Sequence, residues 1–176
     1  VIRRGAATVV EYHTPVGMIR TAACLTDEML DSGASISYVT EHAIREPRDF
    51  EVVGYIFSHV KVEPQLHAYL ARRQQIGDRG IVVAFTSGTA CPMQHIMKDL
   101  MPVERFFFAM HDYPTLVQRL AEQLTPFFDA IKQCAAESPA EVVLLGGNYD
   151  DAITYPPFFE QHIMPDLRAY AEQLHA

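Results

Sequence analysis

The chain is predicted to be α/β, on three observations. Two short all-apolar runs, Ile81-Val82-Val83-Ala84-Phe85 and Val142-Val143-Leu144-Leu145, read as strands, and a small or polar turn follows each. Beyond each turn a helical pattern begins at a proline, Pro92 in one case and Pro156 in the other. Proline is tolerated in a first helical turn because the N–H it lacks would have no partner there. Apolar runs without alternation fit strands covered on both faces, the habit of parallel sheets flanked by helices. In such folds ligands sit at the C-terminal ends of the strands.

In chain order, Thr8 to His13, the turn Thr14-Pro15-Val16-Gly17 and Met18 to Ala22 predict a β-hairpin, with Pro15 and Gly17 supplying the turn chemistry. A second extended stretch is expected from Ser35 to Ile44. Arg45 to Asp49 leads into a helix with Phe50, Val53, Ile56 and Phe57 at helical spacing, and another helix covers Pro64 to Ile76. After the first apolar strand come the turn Thr86-Ser87-Gly88-Thr89 and a helix from Pro92 to Leu100. Asp112-Tyr113-Pro114 reads as an N-cap before a long helix to about Ala136, striped by Leu116, Leu120, Leu124, Phe127 and Ile131. Pro126 is expected to kink it. The second apolar strand is followed by Gly146-Gly147-Asn148-Tyr149-Asp150-Asp151, then by one helix through Phe158, Ile163, Leu167, Tyr170 and Leu174. The expectation is a single domain, with hairpin and extended structure over 1–44 and helices and βα units over 45–176.

At 176 residues and 49% hydrophobic the chain can bury a core, and no apolar run approaches the roughly 20 residues that span a bilayer. Fourteen basic against twenty-two acidic residues leave a formal charge of -8, which argues against nucleic acid as a partner. Cys24, Cys91 and Cys134 are odd in number and widely spaced. That pattern predicts neither a disulfide framework nor a self-contained metal site, and it suits a reducing, cytoplasmic location. The first residues, Val1-Ile2-Arg3-Arg4, lack an initiator methionine and a signal-peptide pattern, so the natural start is expected upstream. Two strands do not complete a parallel sheet, and a closed eight-strand βα barrel takes about 250 residues. Part of the sheet is therefore expected outside this chain.

The stretches IVVAFTSGTACPMQHIM (from Ile81), ERFFFAMHDYPTLVQRLAEQL (from Glu104) and EVVLLGGNYDDAITYPPFFEQHIMPDLRAYAEQLHA (from Glu141) resemble the uroporphyrinogen decarboxylase superfamily, in particular its cobalamin-linked methyltransferase-like branch. The HTPVG turn and the EHAIREPRDFEVVGYI stretch resemble the same branch. The resemblance implies the middle of a (β/α)8 TIM barrel, entered through an N-terminal hairpin. It implies methyl transfer to a thiol or pterin acceptor, a corrinoid protein as partner, and a zinc site of His and Cys on strands following Ala176. This fragment alone would then be inactive and bind no cofactor. The alternative within the family is a decarboxylase acting on a tetrapyrrole or another carboxylated substrate, which uses arginines near the N-terminus of the family barrel. Where decarboxylases carry an aromatic-rich stretch with a tyrosine, this chain reads Ala90-Cys91-Pro92-Met93-Gln94-His95-Ile96, a departure that favours the methyltransferase branch. A non-catalytic binding or assembly module is the reading from another class.

Candidate substrate-binding residues follow the strands. Asn148, Asp150 and Asp151 lie on the second turn, where an amide and carboxylates can bond a ligand or serve the turn itself. Ser87, with Thr86 and Gly88, occupies the first, and His95 lies one turn into the helix beyond, either as a proton-exchanging imidazole or as a structural one. Glu11 and His13 share a strand face, which an alternating hairpin turns outward by default. Cys91 is expected to be a buried small side chain; His42, His59, His67, His111 and His162 to be structural or solvated. Phe106, Phe107 and Phe108 with Met97, Met101 and Met110 read as core. No catalytic residue is assigned, and a small-molecule substrate is expected. An uncovered parallel edge predicts a homo-oligomer.

Overall fold

The structure, a computed structural model, describes residues 1–147 and 149–175. Asn148 lies outside them. In chain order the elements are β1 (Ile2–Arg4), β2 (Ala7–Thr14), β3 (Gly17–Cys24), α1 (Asp27–Asp31), β4 (Tyr38–Glu41), α2 (Asp49–Phe57) and α3 (Leu66–Ile76). There follow β5 (Val83–Phe85), α4 (Pro92–His95), a π-helical turn (Ile96–Leu100), α5 (Val103–Asp112), α6 (Pro114–Ala136), β6 (Val142–Leu144), α7 (Pro156–His162) and α8 (Met164–His175). The protein is thus α/β. Two compact units are formed, one by Val1–His59 with Ile96–Leu120, the other by Val60–His95 with Ala121–Ala176.

The first unit is built on an antiparallel meander in the order β1-β2-β3-β4. The predicted hairpin is β2 and β3, paired from Thr14↔Gly17 to Ala7↔Cys24. Gly17 has φ +145°, and a Cβ there would stand 3.0 Å from Val52 of α2, so the turn needs glycine for both conformation and space. α2 packs against β3 and buries Phe50, Val52 and Val53 beside Ile19. Its start is fastened by Asp49, a buried carboxylate that accepts from the N–H groups of Arg45 (2.9 Å) and Glu46 (3.1 Å). Ile44 N–H donates to the Leu100 carbonyl at 2.9 Å, tying this turn to the end of the π-helical segment. Of the extended stretch expected over Ser35 to Ile44, only β4 forms; its Glu41 accepts from Arg20 at 2.8 and 3.0 Å and also from Arg45. The Arg20 bonds, together with the Arg45 charge, hold the Glu41 carboxyl below its usual range although burial pushes the other way.

In the second unit β5 and β6 pair in parallel, with Val83↔Val142 and Phe85↔Leu144. The sequence predicts these strands to be covered on both faces, and the described residues do not supply that cover. Val83 is 48%, Phe85 65%, Val142 43% and Leu144 52% exposed, while Ala84 and Val143 on the other face are half-buried. Among the described residues the sheet has two strands, and α3 and α6 cover it only in part: Tyr69, Ile131, Cys134 and Ala135 line a cavity of about 480 Å³ together with Val82, Val83, Ala84 and Phe85. Hydrophobicity specifies that a face should be covered; the cover itself must come from other segments.

Elsewhere Cys91, Leu124, Phe128, Phe158, Ile163 and Tyr170 form the core of this unit. Lys132 of α6, buried, reaches Asp166 of α8 at 2.8 Å. The helix predicted from Pro92 to Leu100 changes from α to π after His95. The single C-terminal helix predicted beyond Pro156 is broken between His162 and Met164. Pro165 explains the break, since it lacks an N–H for the ladder and its ring crowds the carbonyl four residues earlier. α6 continues through Pro126. Among the described residues no helix is long and apolar enough to cross a membrane.

Candidate functional site

The two turns that follow β5 and β6 meet. Thr86 N–H donates to the Leu144 carbonyl at 3.2 Å, and the return bond runs from Gly146 N–H to the Ser87 carbonyl at 2.8 Å. The parallel ladder therefore extends past both strands into their turns. Gly146 is required for this approach, because a Cβ there would lie 2.9 Å from the Ser87 carbonyl oxygen and 3.2 Å from the Phe85 ring.

From Ser87 a row of polar atoms leads to His95. Ser87 Oγ accepts from Thr89 N–H at 3.2 Å and lies 3.4 Å from Thr89 Oγ1, which stands 3.3 Å from His95 Nδ1. These side-chain contacts are long, so the row is loosely coupled. The His95 ring packs edge-on to Phe128 with centroids 5.6 Å apart, which fixes its plane. The start of α4 is pinned by Gln94, whose Oε1 accepts from Ala90 N–H at 2.6 Å while its buried Nε2 finds no acceptor among the described residues. Cys91 is buried as predicted: its thiol donates to the His162 carbonyl at 3.4 Å, and burial pushes its pKa up to about 11. A thiol so raised stays protonated and is a poor nucleophile and metal ligand.

The second turn is occupied chiefly with its own geometry. Asp150 accepts from Ala152 N–H through Oδ1 at 2.8 Å, and its carbonyl accepts from the Thr154 N–H at 2.7 Å and hydroxyl at 2.8 Å. This is the local turn chemistry of an aspartate, and it engages one carboxylate oxygen. Asp151 is exposed. Asn148, the remaining candidate on this turn, lies outside the described residues. Tyr149, not singled out from sequence, lies over Gly147, where a Cβ would meet its hydroxyl and ring at 2.7 Å. Its ring sits 5.2 Å from that of Phe159, and burial, reinforced by Cys91, raises its pKa.

Of the predicted residues, Ser87 and His95 are thus joined, through a buried Thr89 that the sequence reading had placed only in the turn. A threonine in the turn just before a proline-started helix was the available signal. The two turns carry no lysine or arginine. Glu11 and His13 form an outward pair on β2 at 3.5 Å, with His13 largely exposed, which fits the default orientation of a hairpin. Among the described residues no three metal-ligating side chains converge.

Compared with protein-family models, with curated proteins and with solved structures, the chain matches none.

Proposed function

We propose that the chain is the middle portion of a (β/α)8 barrel enzyme of the uroporphyrinogen decarboxylase type, in its cobalamin-linked methyltransferase-like branch, and that the turns after β5 and β6 face its substrate. The observation that carries this reading is the parallel β5–β6 pair, apolar on its exposed face and ending in two turns bonded to each other. Parallel strands of this composition belong to larger sheets covered on both faces, and the site of such sheets lies where these turns are. An exposed face and open edges equally support association with further copies of the chain.

Between the two activities of the family, the site favours methyl transfer. A polycarboxylated tetrapyrrole calls for cations, and the turns carry none, whereas hydroxyls and an imidazole suit a neutral or weakly polar methyl donor and a thiol or pterin acceptor. Ser87 and Thr89 would orient the ligand and His95 would take the proton released when a thiol acquires the methyl group. The zinc that the resemblance implies does not fit the residues described here, because no ligand set converges and the Cys91 thiol is raised in pKa; no step is assigned to it.

The test uses the protein expressed from its complete coding sequence, supplied with methylcobalamin and a thiol. Thioether formation is expected, with turnover lowered at least about tenfold in His95→Gln, an effect worth about 1.4 kcal/mol of transition-state stabilisation. Release of CO2 from uroporphyrinogen, or thioether formation equal in wild type and His95→Gln, overturns the assignment.

A further inference from the structure

In the first unit a cavity of about 380 Å³ opens between α5 and the turn that precedes α2. Its floor is apolar and buried, formed by Ile44, Phe50, Met101 and Ala109, and Phe108, 69% exposed, stands at its rim. The walls are held before any ligand arrives: Asp49 clamps the N–H groups of Arg45 and Glu46, and Ile44 is bonded to Leu100. A preformed apolar concavity of this size with a few polar groups at its edge is the usual form of a small-molecule site.

The charges at the edge decide what it would hold. Glu46 is taken by Arg48 at 2.6 Å. Arg45 shares the single carboxylate of Glu41 with Arg20, so two guanidinium groups face one carboxylate. Asp112 accepts from His111 at 2.9 Å. Arg105 spends an N–H on a neutral group, the Arg45 carbonyl at 2.5 Å, and no carboxylate lies against it among the described residues. An arginine over an apolar floor, with an exposed phenyl ring three residues along the same helix, matches a ligand with one flat apolar body and one anionic end.

We propose that this cavity binds a small amphipathic carboxylate, its apolar body between Phe50, Met101 and Phe108 and its carboxylate on Arg105. The site uses none of the residues of the two turns after β5 and β6, so it stands or falls independently of the methyltransferase reading.

The experiment is a calorimetric titration of the 176-residue chain with 1-naphthoate and, in parallel, with the neutral 1-naphthalenemethanol. Saturable naphthoate binding is expected, at least tenfold weaker in Arg105→Gln and retained in Arg105→Lys, while the neutral probe binds both variants alike. Phe108→Ser, on an exposed side chain, should weaken both probes. Methyl labelling of methionine locates the event: the Met101 signal is expected to shift with naphthoate. Equal naphthoate affinity in wild type and Arg105→Gln, absence of saturable binding to wild type, or a Met101 signal that does not move would each overturn the proposal.

Discussion

Lys132 is buried on α6 and donates to Asp166 of α8 at 2.8 Å, while Asp166 keeps part of its surface in water. The two ends of this ion pair are therefore unequal. Removing the carboxylate leaves a buried ammonium without compensation, whereas removing the lysine leaves a carboxylate that can rehydrate. Asp166→Ala is expected to cost about 2–4 kcal/mol of stability and Lys132→Met less than about 1 kcal/mol. Urea unfolding of both variants checks the order, and equal losses would show that the pair is valued symmetrically.

Asp49 presents a second asymmetry, between a buried acceptor and two backbone donors. In Asp49→Ala the N–H groups of Arg45 and Glu46 lose their partner inside the fold, with an expected loss of about 1–3 kcal/mol. Asp49→Asn retains an acceptor oxygen and should recover part of it. A thermal melt of the three proteins ranks them.

Two glycines that meet across the turns, Gly146 and Gly88, should respond differently. A methyl group on Gly146 meets the Ser87 carbonyl at 2.9 Å, so Gly146→Ala must push the turns apart, at an expected cost of about 1–3 kcal/mol. Gly88→Ala adds a methyl into open space and should stay within about 0.5 kcal/mol of wild type. Equilibrium unfolding separates these outcomes, and a tolerated Gly146→Ala would contradict the close approach of the two turns.

Acid should destabilise the protein in two stages. Burial lowers the pKa of His42, against an opposing pull from Asp99, and burial lowers that of His162. As pH falls through the ordinary histidine value of 6.5, the unfolded chain takes up protons that the folded protein resists, so their contribution is complete above 6.5 and lost below it. Glu41, lowered by its bond from Arg20, contributes fully above its ordinary 4.5, and that contribution vanishes as pH falls through the folded value. Melting temperature against pH should show both declines. Glu41→Gln should remove the lower one and leave the upper, and His42→Gln should reduce the slope of the upper.

Much of the local structure was legible because local chemistry determined it. Pro15 and Gly17 marked the hairpin, and Tyr113-Pro114 marked the start of α6. α5 was hidden inside the run Phe106-Phe107-Phe108, since three like residues carry no periodicity; the structure separates them, with Phe106 buried and Phe108 exposed. The C-terminal break at Ile163 was missed because the apolar spacing on either side of it remains helical. In the candidate site, Ser87 and His95 could be named from their place after a strand. Their link through Thr89 is local, spanning only the turn and the first turn of α4, whereas the closing of the two turns by Gly146 joins residues nearly sixty positions apart and left no mark in either turn alone.

The same separation governs the order in which the two sheets can form. The meander is assembled from neighbours, beginning with Thr14 and Gly17 across a two-residue turn and spreading outward to Ala7 and Cys24. Val83 must instead wait for Val142. Closing a short loop takes tens of nanoseconds and long-range parallel pairing is intrinsically slow. A chain leaving the ribosome would carry a finished hairpin while β5 was still single, and the apolar residues of β5 would remain an unpaired, sticky segment until β6 emerged behind α6.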